Sequence, residues 1–233
     1  MREVPPVGPS LKILALKALA TTVLVLTTTL AHATDYVAGK HYVLLETPVR
    51  TGDASKIEVT EVFWYGCGHC YTFEPQLEKW SKTLPADVVL SRSPAIWHPT
   101  MELHARAYYT AKALNVLDAL HPALFDAMNI SRDKLATEDD IKKIFTAHGV
   151  DGDAFSKTFN SFGVGSAVGQ ADARQRGYKV TGTPEIVVEG KYRVSASLAG
   201  GHAAMLAVVD HLLAIERAAR AKHHGSDSAA TAK

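Results

Sequence analysis

Phe63-Trp64-Tyr65-Gly66-Cys67-Gly68-His69-Cys70-Tyr71 is the stretch on which the fold turns. An apolar, aromatic run ends at Tyr65, and Gly66 permits a tight turn. Beyond the cysteines, Phe73, Leu77, Trp80 and Leu84 recur at helical spacing. A strand therefore runs into a helix here, and Cys67 falls near the helix N-cap. Unpaired N–H groups and the positive end of the helix dipole stabilise an anion at that position. The thiolate is the reactive form of cysteine, so this placement lowers the Cys67 pKa and raises its reactive fraction near neutral pH. Cys70 lies one turn later, within bridging distance but facing the protein, as a resolving thiol would. Each pKa unit by which the thiolate is stabilised moves the couple about 1.4 kcal/mol, or about 30 mV, toward a stronger oxidant. His69 can add a positive charge or a donor that pushes the same way.

Two other readings of the pair stand beside this one. Cys67, Cys70, His69 and a distant histidine could bind zinc, although the chain has two cysteines and no second pair. The pair could also be an inert bridge, but a bridge across two residues closes almost no loop and is a poor staple.

Outward from the motif, Lys40 to Glu46 and Ile57 to Tyr65 read as strands, with turn residues Thr47 to Asp53 between them. Pro85 closes the first helix, and Asp87 to Ser93 reads as a third strand. Helical periodicity then runs from about Thr100 to Gly177. Thr137 to Asp140 makes an acidic helix start, Gly149 a helix end, and Asp151 a cap for a helix carrying Phe155 and Phe159; Gly163 and Gly165 punctuate before the last helix of the block. Glu185 to Glu189 and Lys191 to Val194 form a hairpin about Gly190. A closing helix from His202 to Arg217 uses Met205, Val208, Val209, Leu212 and Ile215, and residues 218–233 read as a disordered tail. Neither flank supplies a whole sheet, so the block of helices reads as an insertion into one α/β domain.

The chain has 233 residues and a net charge of +1, which gives no electrostatic reason to expect nucleic acid. Arg2, Lys12 and Lys17 precede an apolar run, Ala18 to Leu30, followed by Ala31-His32-Ala33. That layout reads as a secretory signal over residues 1–33, cleaved after Ala33; an uncleaved anchor is the alternative, disfavoured by so short a run. Export implies an oxidising compartment, where a lone close pair of cysteines reads as working chemistry.

These residues resemble the thioredoxin superfamily, and within it the bacterial periplasmic DsbA thiol:disulfide oxidoreductases, over about Gly39 to Arg217. The resemblance implies a thioredoxin fold in two parts, residues 34–98 and 167–217, with a helical domain inserted at 99–166. It implies periplasmic localisation and broad substrates among reduced or unfolded exported proteins. It also implies reoxidation by a DsbB-type membrane quinone reductase. No cofactor is expected beyond the redox-active disulfide, no metal, and a monomer. Cys67 resembles the family's nucleophile and Cys70 its resolving cysteine. Val180 to Glu185 resembles the cis-proline loop, in which Thr183 and Pro184 would stand beside Cys67 and, with His69, meet the substrate. Taken alone, Pro184 reads as an ordinary turn proline. Glu61 resembles the buried acid beneath the site, where it can relay protons, and Arg92 its partner cation; the plain alternative leaves both at the surface. Pro75 resembles the proline that kinks the thioredoxin helix.

One departure stands out. Gly68-His69 occupies the place of Pro-His in the family's best-known member and resembles the pair of eukaryotic disulfide isomerases, which leaves oxidising strength open. A reductase or isomerase is the alternative enzyme, and a non-redox chaperone or peptide-binding module the alternative of another class. His98, His104, His121, His148, His202 and His211 read as structural or surface residues. Trp64, Phe73 and Trp80 read as core, and Tyr65 and Tyr71 as candidates to line the substrate groove.

Overall fold

Seven residues of almost uninterrupted apolar and β-branched character, Ile57–Phe63 (β2), run through the centre of a five-stranded sheet in a computed structural model that describes residues 35–231. Six of the seven are buried, as a strand covered on both faces demands. Val88–Pro94 (β3) lies parallel to β2 on one side, and Glu185–Val188 (β4) antiparallel on the other. Tyr192–Ser195 (β5) and a two-residue strand, Val43–Leu44 (β1), complete the order β1-β5-β4-β2-β3. The register sets Glu61 opposite Arg92 on one side and Ile186 on the other. The strand expected over Lys40 to Glu46 shrinks to two residues, Val43 and Leu44, paired with Arg193 and Tyr192 of β5 at the sheet edge. Gly190, at φ +60° in the β4–β5 turn, has no room for a Cβ, which would collide with the Val49 carbonyl.

Gly68–Ser81 (α1) follows β2 and buries Phe73, Leu77 and Trp80 against Val59, Ile186 and the closing helix, His202–Thr231 (α8), while its Cys70 packs with Phe63 and Tyr65. The Trp80 indole N–H donates to Asp210 of α8 at 2.9 Å. α1 stays continuous through Pro75 and ends at Ser81, before Pro85, because Thr83 and Leu84 turn back onto the Trp80 and Ser81 carbonyls.

Between β3 and β4 lie five helices: Pro99–Ala113 (α2), Leu117–Asn129 (α3), Glu138–Ala147 (α4), Gly152–Phe159 (α5) and Phe162–Gly177 (α6). Thr137 caps α4 and Asp151 caps α5 through their side-chain oxygens. A core of their own, with Leu120, Leu124, Phe145, Phe155 and Phe159 fully or almost fully buried, reaches Phe63 and Tyr65 at the end of β2. Together these elements are a thioredoxin fold carrying a helical insertion.

Several boundaries need correction. α6 runs unbroken through Gly163, Gly165 and residue 166, because the Ser161 hydroxyl caps it upstream at the Val164 amide, so a division between 166 and 167 would cut a helix. Residues 218–231 continue α8 where a disordered tail was expected. Arg217 pairs with Asp87 at 2.5 Å, and Arg220 with Glu189 at 2.9 Å and with the Lys56 carbonyl, so charge anchors α8 as far as residue 220. Ile215 faces outward. The expected signal segment, residues 1–33, lies outside the described residues. No helix among the described residues is long and apolar enough to cross a membrane.

Candidate active site

Cys67 is the N-cap of α1, with extended backbone (φ −91°, ψ 109°), and its sulfur accepts the Cys70 amide at 3.3 Å. The turn that delivers it depends on Gly66, where a Cβ would run into the Trp64 ring. From across the sheet the loop before β4 brings Thr183 and Pro184, joined by a cis peptide bond, to the same sulfur. The Cys67 thiol donates to the Thr183 carbonyl at 3.3 Å.

The two cysteines, both free thiols here, occupy opposite environments. Cys67 is partly exposed. Its thiol is drawn down to about 5, first by the hydrogen bond from the Cys70 side chain, against the opposing effect of burial. The Thr183 side chain and the amides of Cys70 and His69 add to the pull. Those amides are the open N–H groups of the first helical turn, the physical form of the dipole at this end. Cys70 is fully buried, and burial drives its thiol far above the ordinary range, with the charge of Glu61 adding to the rise.

Beneath Cys70 lies a buried charged cluster. Glu61 has no exposure, and burial, then the neighbouring Glu74, pushes its carboxyl up to about 8 despite Arg92. Arg92 Nε stands 3.3 Å from Glu61 Oε2 without hydrogen-bond alignment, and neither Glu61 oxygen has a hydrogen-bond partner among the described residues. A protonated carboxyl suits such a place better than a carboxylate. The Arg92 guanidinium turns its well-aligned bonds to Glu74 and Glu78, each at 2.5 Å. Glu74 is itself partly buried, which raises its pKa, but His121 and Arg92 outweigh this and hold it below the usual carboxylate range. His121, with its pKa lowered by burial, reaches Glu74 at 3.4 Å through Nε2 and the Tyr65 hydroxyl at 2.9 Å through Nδ1.

Every residue named from the sequence for this site lies around Cys67 or Cys70. Glu61 and Arg92 lie side by side below the cysteines, 3.3 Å apart, and Thr183 and Pro184 stand beside Cys67. Gly68 opens α1 with open space about its Cα, Asn129 Oδ1 being the nearest atom to a Cβ at 3.9 Å. His69 is exposed, and its ring stands edge-on to that of His202, 5.8 Å between centroids. Tyr65 is no groove residue: it is 1% exposed, packed on Phe63 and Phe125. Tyr71 is partly exposed and donates to Asp126.

Glu74 and Glu78 escaped the sequence reading, and His121 and His202 read there as structural or surface residues. Glu74 and Glu78 follow Cys70 at helical intervals of four, a signal that was there to find; the two histidines come from distant segments and left none. His104 is structural, its ring accepting the Trp64 indole N–H at 2.9 Å. No cluster of three or more metal-ligating side chains occurs among the described residues.

Comparison with known proteins gives a consistent result. Residues 86–206 match the model of the DSBA-like thioredoxin domain. The chain is 42% identical over 192 residues to the thiol:disulfide interchange protein DsbA of Pseudomonas aeruginosa, covering 82% of this chain and 91% of that one. It is 37% identical to the DsbA of Bordetella pertussis, covering 86% and 96%. The crystal structure of Pseudomonas aeruginosa DsbA superposes with a TM-score of 0.77 at 41% identity, over 80% of this chain and 97% of that one. Oxidoreductase DsbA from Xylella fastidiosa superposes at 0.74 with 32% identity, over 78% and 98%.

Proposed function

This chain belongs to the DsbA family of thiol:disulfide interchange proteins and is a thiol:disulfide oxidoreductase, and we propose that it acts as an oxidant, donating a Cys67–Cys70 disulfide to reduced exported proteins. The observation that carries this reading is the contrast between the sulfurs: Cys67 at a helix N-cap with its thiol near 5, Cys70 buried with its thiol far above the ordinary range.

The cycle begins with the pair joined. A substrate thiolate attacks the exposed Cys67 sulfur, the Cys67–Cys70 bond breaks, and Cys70 leaves carrying the electron pair. A bare thiolate is costly in that interior, so Cys70 takes a proton from Glu61, whose raised pKa keeps it protonated at neutral pH. Arg92 steadies the Glu61 carboxylate left behind. The substrate's second thiolate then attacks its own sulfur in the mixed disulfide and expels Cys67 as a thiolate. Two substrate thiols have become a disulfide, and the pair has gained two electrons. The Cys70 and His69 amides hold the expelled sulfur from the first turn of α1. Substrate lies along the groove beside Thr183 and Pro184, where its backbone can pair with the Thr183 backbone. The Cys67–Cys70 pair is itself the redox group; no cofactor or metal takes part. We place the protein in the periplasm as a monomer, after removal of residues 1–33, with reoxidation by a DsbB-type membrane quinone reductase.

Thiol trapping in glutathione buffers tests the direction of electron flow. A midpoint well above the roughly −270 mV of thioredoxin is expected. A midpoint at or below it makes the protein a reductase.

A further inference from the structure

His202, which opens α8, is the neighbour of the site that the disulfide chemistry leaves unused. Its ring packs on Phe73 at 5.2 Å and stands 5.8 Å from that of His69. Both imidazoles line the groove that also contains Thr183, Pro184, Ser195 and Ser197. The one carboxylate there, Glu185, is occupied: it is buried, paired with Arg193 at 3.2 Å, and accepts the Thr181 hydroxyl at 3.1 Å. Among the described residues, the wall beside Pro184 is thus hydroxyl and imidazole, with no unpaired carboxylate. With the cysteines bridged, the surface meant to receive a substrate cysteine presents two imidazoles at adjacent positions.

We propose that His202 and His69 form a subsite for an acidic side chain next to the substrate's reactive cysteine, with His202 as a specificity-determining residue. The proposal rests on the oxidoreductase reading and deepens it. When the pair is oxidised, Cys67 carries no charge and the imidazoles are free to meet a carboxylate. Once substrate has transferred its electrons, Cys67 is a thiolate, which attracts His202 and competes with the bound acid, so the product is released. The groups facing His202 are His69 and Phe73 from α1, Cys67 at its cap, and the paired Glu185 of β4. Burial and His69 lower the pKa of His202 and Cys67 raises it, so its charge, and with it the preference, belongs to the acidic side of neutrality.

The test uses the oxidised protein and two reduced peptides that differ in one residue beside the cysteine, Asp against Asn. Exchange rates are measured at pH 5.5 and pH 8 for the unaltered chain and for His202→Gln. The Asp/Asn rate ratio, normalised to that of His202→Gln, cancels any general loss of rate and the effect of Asp on the peptide's own thiol. It should be about two- to fivefold at pH 5.5, the range of an exposed ion pair, and should approach one at pH 8 and in high salt. Equal ratios for the two proteins at pH 5.5 overturn the subsite. So does a normalised preference that persists unchanged from pH 5.5 to 8. Neither result touches the oxidoreductase reading, which falls if the unaltered chain fails to exchange with the Asn peptide.

Discussion

Cys67 and Cys70 are three residues apart on one helix, yet one faces the groove at an N-cap and the other faces a sealed interior lined by Glu61. On the outer side a sulfur anion meets open amides and a neighbouring thiol, and its pKa falls to about 5. On the inner side the same anion would be stripped of water above a carboxyl, and its pKa climbs far beyond the ordinary range. One chemical group in two solvents gives a good leaving thiolate and a thiol that must stay protonated. That difference gives the mixed disulfide its direction: the bond to substrate forms and breaks at Cys67, and Cys70 closes or opens behind it.

The comparison breaks completely in Cys67→Ala, which should reduce oxidation of a reduced dithiol peptide to the background rate while leaving the far-UV circular dichroism unchanged. Residual oxidation above background would mean that Cys70 can be attacked directly. Next in size, Glu61→Gln removes the proton donor for the inner sulfur. Single-turnover reduction of the oxidised protein by a peptide thiol should slow about 10²-fold, within the usual range for a positioned acid. The same step in the unaltered chain should weaken as pH rises through about 8, where the Glu61 carboxyl loses its proton, and that decline should be absent from Glu61→Gln.

Arg92→Met acts on the inner region alone. It leaves Glu61, Glu74 and Glu78 without their shared cation and should cost about 3 kcal/mol in urea unfolding. Adding Glu74→Gln should return part of that loss, since Glu74 is the partly buried carboxylate that Arg92 helps to keep ionised, and a neutral amide needs no counter-ion. His121→Asn is the smallest: the Tyr65 hydroxyl loses its partner, at about 1 kcal/mol of stability. The thiolate absorbance midpoint of Cys67 should not move, which keeps the two regions distinct.

What could be read without coordinates was local. A strand ending in aromatics, a glycine and two cysteines before a helical period placed Cys67 at its cap, because capping depends on amides within three residues of the sulfur. Thr137 and Asp151 were legible as caps for the same reason. Helix ends and sheet edges were legible less well: the strand at Lys40 shortened to two residues, and α8 runs on past Arg217 and Arg220, which Asp87 and Glu189 hold.

The amino-acid sequence by itself determined the redox pair, its order of reactivity and the existence of an inserted helical block. Each follows from spacing along the chain or from the periodicity of apolar residues. Tertiary structure alone decided the surroundings of the second sulfur. Glu61, Arg92, Glu74 and His121 come from β2, β3, α1 and α3, and they meet only after parallel pairing sets Glu61 opposite Arg92 and α3 packs over α1. The same holds for His202 beside His69. Charge and burial act through space over a few ångströms, while sequence reports distance along the chain, so Glu61 and Arg92 were reached only through the family resemblance, and the roles of Glu74 and His121 stayed hidden until the sheet was assembled.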